Sequence, residues 1–253
     1  HSKSCNHLNN IPQVAIIHVD KILPTCTIQL HASATNVSSR DPIYIIYTSG
    51  TTGNPKGVVV EHQQVVANLS SQLTVFDMKP SDKFAFTSSI SFDASVVEQW
   101  ISLLCGASTI CVPYEVKLDI EELIRFCNKN KITVLGAVTP LYEVLANSDF
   151  FERTNLRLVD VGGDVMKTGR SSKSNCIVIN DYGPTETTIV ATYHSVGIDE
   201  SFPPIGKPHF NYKTYVLDQF RIPVPIGVPG ELYIGGDGVA RGYLNMPEMT
   251  KEK

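Results

Sequence analysis

Apolar and polar positions along this chain fall into alternating strand-like and helix-like periods. Ile43–Tyr47 and Val58–Val60 read as two β runs joined by a polar loop. Glu61–Phe76 then places Val65, Val66, Leu69, Leu73 and Phe76 at helical spacing. Phe84–Thr87 is a short strand, and Ala94–Cys105 a helix whose broad apolar face holds Val96, Val97, Trp100, Ile101 and Leu104. Ser108–Val112 reads as a buried strand. Asp119–Lys129 is amphipathic, with Ile120, Leu123, Ile124 and Cys127 inward and Glu121, Glu122 and Arg125 outward. Ile132–Leu135 is the next strand. Thr139 is placed to cap a helix that begins at Pro140, where proline's missing N–H costs nothing. Leu156–Val161 and Cys176–Ile179 complete the series.

Alternation of this kind predicts an α/β fold: a layered, mostly parallel sheet with flanking helices. Beyond Gly197 prolines and glycines dominate around the strand candidates Lys213–Leu217 and Glu231–Gly235. That change predicts a small β-rich, barrel-like subdomain. The expected organisation is a partial lead-in over 1–40, an α/β core over 41–196 and the β-rich unit over 197–253. The lead-in is Asn/Ser-rich, with apolar stretches Val14–Val19 and Cys26–Leu30.

Composition narrows the classes without naming one. A formal net charge of -4 offers no electrostatic argument for nucleic acid or an anionic membrane. No apolar run approaches a membrane span and no secretory leader is visible, so a cytoplasmic setting is expected. Cys5, Cys26, Cys105, Cys111, Cys127 and Cys176 form no CxxC pair and are expected to be buried free thiols. The seven histidines lack ligand spacing and are read as surface or core residues.

Chemistry concentrates in a few segments. Thr48-Ser49-Gly50-Thr51-Thr52-Gly53-Asn54-Pro55-Lys56-Gly57 combines hydroxyls, glycines and a lysine between two strands. Such a loop can turn backbone N–H groups and hydroxyl donors toward a polyphosphate. It is not a Walker A loop, because no Lys-Ser/Thr pair leads into a helix; a plain polar hairpin is the alternative. Ser91-Phe92-Asp93-Ala94-Ser95 sets a carboxylate at a helix start, where Asp is also a good cap. Asp160-Val161-Gly162-Gly163-Asp164 puts two glycines at a strand's carboxyl end, where open α/β sheets bind ligands. Asn180-Asp181-Tyr182-Gly183-Pro184-Thr185-Glu186-Thr187 offers an aromatic face, a hydroxyl and a hard oxygen ligand suited to magnesium. Gly230–Leu244 is a glycine-punctuated β segment, read as structural.

Together these five segments, in this order over residues 43–253, resemble the adenylation domain of a nonribosomal peptide synthetase, a branch of the adenylate-forming enzymes. The resemblance implies ATP and Mg2+ as cofactors, with Lys56 and the Thr48, Ser49, Thr51 and Thr52 hydroxyls on the polyphosphate and Gly50 and Gly53 in the same loop. It implies that Gly162, Gly163 and Asp164 border the adenine with Asn180, Asp181 and Gly183, and that Asp164 stands where the family has glutamate. Tyr182 would stack on adenine, Thr185 contact the α-phosphate and Glu186 hold magnesium. Asp93 would bind the α-ammonium of an amino acid in a pocket lined by Ala94, Val97, Gly136 or Ala137, Val159, Val161, Asp181, Ile189 and Val190. That lining favours an uncharged, modest or aliphatic side chain, unless Asp181 accepts a hydrogen bond or second cation from the substrate. Further implied partners are a peptidyl carrier domain bearing phosphopantetheine and neighbouring synthetase domains. The family's C-terminal lid, with its lysine, is expected to lie outside this chain. An acyl- or aryl-CoA ligase and a non-catalytic nucleotide-binding fragment are the alternatives.

Overall fold

The computed structural model describes residues 36–49 and 54–252. The expected lead-in stretches, with Cys5 and Cys26, lie outside the described residues, as do Gly50–Gly53. From Ser38 on, the chain is one compact unit. At its centre is a seven-stranded sheet of order β4-β3-β5-β6-β7-β8-β9. Its strands are β3 (Lys83–Phe86), β4 (Ser108–Cys111), β5 (Val134–Val138), β6 (Leu158–Gly162), β7 (Ile177–Tyr182), β8 (Thr192–Ser195) and β9 (Lys207–Pro208). β3 to β7 run parallel, and β8 and β9 are antiparallel additions at one edge. β1 (Pro42–Thr48) and β2 (Lys56–Glu61) form the expected hairpin, extended by β12 (Gly242–Tyr243). β10 (Tyr212–Leu217) and β11 (Glu231–Gly236) pair as an antiparallel ribbon.

The sheet separates two cores because side chains alternate along each strand. Helices α1 (His62–Val75) and α2 (Ala94–Leu104) cover one face. There Val65, Leu69, Val97 and Ile101 pack with Phe84, Val134, Leu158 and Ile179. α3 (Ile120–Asn130) and α4 (Thr139–Ala146) cover the other, where Leu123, Ile124, Cys127, Tyr142 and Leu145 meet Ala85, Leu135, Ala137, Val159, Val161 and Val178. Two short helices, α5 (Phe150–Arg153) and α6 (Pro247–Glu252), complete the set. α3 matches its prediction closely: Asp119 Oδ1 accepts from the Glu121 and Glu122 N–H groups at 2.8 and 3.2 Å, an N-cap.

Polar groups on α1 stitch the segment beyond residue 197 to the core. Asn68 Nδ2 donates to Val190 O at 2.7 Å and to Tyr212 Oη at 2.9 Å, and Gln64 Nε2 donates to Val239 O at 2.7 Å. That segment holds the expected β-rich unit, here the antiparallel β10–β11 ribbon. Other expectations need correction. β4 is an edge strand and only half-buried to exposed. α2 is rotated from its predicted face: Ser95, Val97, Glu98, Ile101 and Ser102 are buried, while Trp100 and Leu104 are exposed. Thr139 is the first residue of α4, not its cap. Of the described cysteines, Cys127 and Cys176 are buried and Cys111 is exposed. No helix of the described residues is long and apolar enough to cross a membrane.

Candidate active site

The hairpin carries the residues expected to form a phosphate loop. Thr48 ends β1 directly opposite Lys56, which opens β2; Thr48 is half-buried and Ser49 exposed. Lys56 is buried, and its Nζ lies 5.4 Å from the Tyr243 ring centroid, within cation–π range. Tyr243 reaches this place because β12 pairs with β2, Tyr243 opposite Val58. Its Oη donates to Glu186 Oε1 at 2.6 Å. Burial, then the Glu186 carboxylate, push the Tyr243 hydroxyl up to about 12, so it remains a donor at neutral pH. One tyrosine thus joins the lysine expected on the polyphosphate to the glutamate expected to hold a metal.

The second element is the turn that leaves β7. Tyr182 ends the strand with 39% of its surface exposed, and a 3-10 turn spans Thr185–Thr187. The chain then folds back through Thr188 and Ile189, both left-handed at φ 57° and 70°. Ala191 N–H donates to Tyr182 O at 2.8 Å and closes the loop. Gly183 allows the fold-back: a Cβ there would stand 2.5 Å from Val190 Cα and 2.6 Å from Ile189 O. Gly162 is similarly constrained, its would-be Cβ lying 2.9 Å from Asp181 O. Gly163 is left-handed at φ 99°, and Asp164 is exposed. Thr139 Oγ1 braces this turn, 3.2 Å from Gly162 O and 3.1 Å from Asp164 O. The Asn180 side chain faces elsewhere, donating to Pro204 O at 2.9 Å.

Asp93 stands at the start of α2, yet its side chain makes no capping hydrogen bond. Its Oδ2 is buried with no partner among the described residues. Burial raises the carboxyl's pKa; the Thr185 side chain and the Ala94 and Asp93 backbone donors oppose this, and the Glu186 charge adds to it. Asp93 is therefore brought beside the Tyr182–Glu186 turn although 92 residues separate it from Thr185.

The expected pocket is only partly assembled. Val97, Ile189 and Val190 share the core under α1 and α2, and Ala94 is half-buried at the start of α2. Ala137, Val159 and Val161 pack in the opposite core. A one-residue offset in a strand reverses the side a residue faces. Gly136, whose would-be Cβ lies 2.4 Å from Glu98 Oε1 on α2, is the β5 residue on the pocket side. Its β6 partner is Asp160, and Asp181 follows on β7.

Four residues in this region carried no functional reading from the sequence: Glu98, Asp160, His209 and Tyr243. Glu98 is 3% exposed, and its carboxylate accepts from the Thr87 and Ser88 N–H groups at 2.8 Å each and from both hydroxyls. Burial still pushes it up to about 7. Its signal in the sequence was a charge beside Val97 at the centre of an apolar face. His209 is fully buried, with Nε2 3.2 Å from Asp181 Oδ1 and Nδ1 3.0 Å from Ser71 Oγ. Nothing local in the sequence announces that contact.

Residues 4–244 match the family model described as AMP-binding enzyme. Tyrocidine synthase 3 of Brevibacillus parabrevis is 41% identical over 221 residues, covering 84% of this chain and 3% of the relative. Among solved structures, an artificially fused adenylation–PCP di-domain of a nonribosomal peptide synthetase, NpsA-ThdA from Klebsiella oxytoca, superposes with a TM-score of 0.83. It is 26% identical, and the match covers 97% of this chain and 51% of that one. The AMPPNP-bound form of the nonribosomal peptide synthetase FmoA3 superposes with a TM-score of 0.76 at 30% identity, covering 84% of this chain and 24% of that one. This chain therefore spans a small part of the curated relatives it matches.

Proposed function

The chain belongs to the AMP-binding enzyme family, and from that membership we propose that it forms the nucleotide- and amino-acid-binding part of a nonribosomal peptide synthetase adenylation domain. In this reading ATP and an amino acid meet between the hairpin, the start of α2 and the carboxyl ends of β6 and β7. An oxygen of the substrate carboxylate attacks the α-phosphorus, pyrophosphate leaves and an aminoacyl-adenylate remains. A carrier-domain phosphopantetheine thiol would then accept the acyl group.

One observation carries the amino-acid half of this reading. Asp93 occupies a capping position without capping, and its buried Oδ2 is left without a partner. A carboxylate held this way is unfavourable until a cation reaches it, and an α-ammonium group supplies one. An aryl or fatty acid brings no such charge, which disfavours the acyl- or aryl-CoA ligase alternative.

Lys56 and the Thr48 and Ser49 hydroxyls are assigned to the polyphosphate, with Gly50–Gly53 completing the loop. Lys56 contributes charge, and the surrounding donors orient the phosphates. Tyr182 offers the base an exposed ring face, bordered by Gly162, Gly163 and Asp164. For magnesium the donor set fits a metal that arrives on the triphosphate. Among the described residues no group of three acidic, histidine or cysteine ligands exists, and Glu186 is one half-buried carboxylate held by Tyr243. Magnesium typically takes one or two protein carboxylates plus phosphate and water oxygens, and when bound it neutralises phosphate charge.

The test is amino-acid-dependent ATP–pyrophosphate exchange across a panel of amino acids and aryl acids. Exchange that ignores the amino acid would refute the reading. Tyr243→Phe gives a second check, since it keeps the ring near Lys56 but removes the bond to Glu186. The magnesium concentration for half-maximal exchange should rise about 10-fold, the lower end of what losing a ligand-orienting partner costs. An unchanged magnesium titration would remove Tyr243 from this role.

A further inference from the structure

We propose that Asn68 and Tyr212 are positioning residues for the phosphate end of the nucleotide: they clip both ends of the left-handed fold-back after β7 and thereby fix Thr185 and Glu186. This rests on the nucleotide reading of that turn.

The fold-back needs a hold from outside. Thr188 and Ile189 are left-handed at φ 57° and 70°, and neither is a glycine. Such residues are strained and persist only where their surroundings impose the conformation. Here a chain of side chains from α1 and β10 imposes it. Tyr212 Oη donates to Thr187 O at 2.9 Å, with Thr188 O at 3.4 Å, where the left-handed pair begins. Asn68 Nδ2 donates to Val190 O at 2.7 Å, where the pair ends. The same amide donates to Tyr212 Oη at 2.9 Å, so the two clips are one unit. Gln72 Nε2 completes it by donating to Asn68 Oδ1 at 2.6 Å.

Only one polarity satisfies this network. Asn68 spends both amide hydrogens on Val190 O and Tyr212 Oη, which leaves the tyrosine proton for Thr187 O. Burial pushes the Tyr212 hydroxyl up to about 12, so it keeps that proton at neutral pH. Asn68 and Gln72 are fully buried and Tyr212 nearly so, which shields each bond from competing water. Gly238, in the loop after β11, makes room: a Cβ there would collide with Tyr212 Oη.

The clip reaches the proposed phosphate contacts directly. Thr187 N–H donates to Pro184 O at 2.8 Å and Thr188 N–H to Thr185 O at 3.1 Å. Thr185 and Glu186 therefore sit on a turn bonded to the clipped residues, and releasing Thr187 O lets both shift. A purely structural brace explains less. Apolar residues at 68, 72 and 212 would fill the same core at little cost, but they would leave the fold-back unheld.

The test joins amide hydrogen exchange on this chain to calorimetric binding of magnesium–AMPPNP and of adenosine. Tyr212→Phe keeps the ring and removes only the hydroxyl. Exchange in peptides spanning Thr187–Ala191 should rise at least about 10-fold, the worth of one hydrogen bond, while β5 and β6 stay unchanged. Magnesium–AMPPNP should bind about 10-fold more weakly, whereas adenosine, which needs only the base contacts, should stay within about twofold. Because the clip is one unit, the double variant should bind AMPPNP no more weakly than Asn68→Ala alone. Unchanged exchange over the fold-back, or faster exchange with undiminished AMPPNP affinity, overturns this inference and leaves the nucleotide reading intact. Faster exchange throughout the chain, or equal losses for AMPPNP and adenosine, makes the pair a structural brace and overturns it as well. A parent chain that binds neither ligand refutes the nucleotide reading of the turn, and this inference with it.

Discussion

Asp93→Asn should lower amino-acid-dependent pyrophosphate exchange about 100-fold or more and, at the same time, raise the melting temperature. The two effects have one cause. In the proposed complex the carboxylate and the α-ammonium would form a partly desolvated pair, and removing one member of such a pair costs about 2–5 kcal/mol. In the free protein the same carboxylate is a burden, because its Oδ2 is buried and unpartnered. The pH dependence follows from the direction of its shift. Burial raises the Asp93 pKa in the folded chain, so the native state holds this proton more tightly than the unfolded chain does. Its contribution to stability is present at low pH and is lost as pH rises through the folded-state value. The stability gained by Asp93→Asn should therefore grow as the pH rises above the ordinary carboxylate range. Thermal melts at several pH values, with exchange assays on the same samples, check both halves. A variant that loses activity and stability together would mean Asp93 is a structural residue.

The legible parts of the fold are those whose information is local. The hairpin, α1 and α3 declare themselves through periodicity and, in α3, through the Asp119 cap. Strand ends were less visible. β5, β6 and β7 all run one to three residues beyond their apolar cores, to Val138, Gly162 and Tyr182. Their last residues include polar ones, such as Asn180 and Asp181, that a hydrophobicity pattern excludes. These strand ends carry the candidate site, so the hydrophobic pattern is weakest where function is proposed. The pocket shows a second limit. The resemblance places Val159 and Val161 in it, whereas side chains on a strand alternate, so these two face the opposite core from Asp160. Contacts such as Asp181–His209 and Glu186–Tyr243 join residues 28 and 57 positions apart. They depend on sheet order, which no local pattern encodes.

Gly183→Ala should be the most disruptive single-methyl change near the nucleotide site. The added Cβ meets Val190 Cα and Ile189 O at 2.5 and 2.6 Å. Both are backbone atoms, so no side chain can rotate aside. The opposing segment is already committed, with Thr188 and Ile189 left-handed, a conformation that is costly for a β-branched residue. Relief requires either breaking the Ala191–Tyr182 hydrogen bond or moving Tyr182 and Thr185. Overpacking of this kind costs about 2–3 kcal/mol, or roughly 4–12 °C of melting temperature for a chain of this size. Nucleotide affinity should fall as well, because the displaced turn carries Tyr182, Thr185 and Glu186. Gly235→Ala is the matched control: its would-be Cβ meets nothing within 4 Å and its φ is ordinary, so stability should stay within about 0.5 kcal/mol. Differential scanning fluorimetry with and without ATP separates the outcomes. Equal melting temperatures for the two variants would show that the fold-back at Ile189 is not held against Gly183. A destabilised Gly183→Ala that still gains full thermal protection from ATP would move the nucleotide away from this turn.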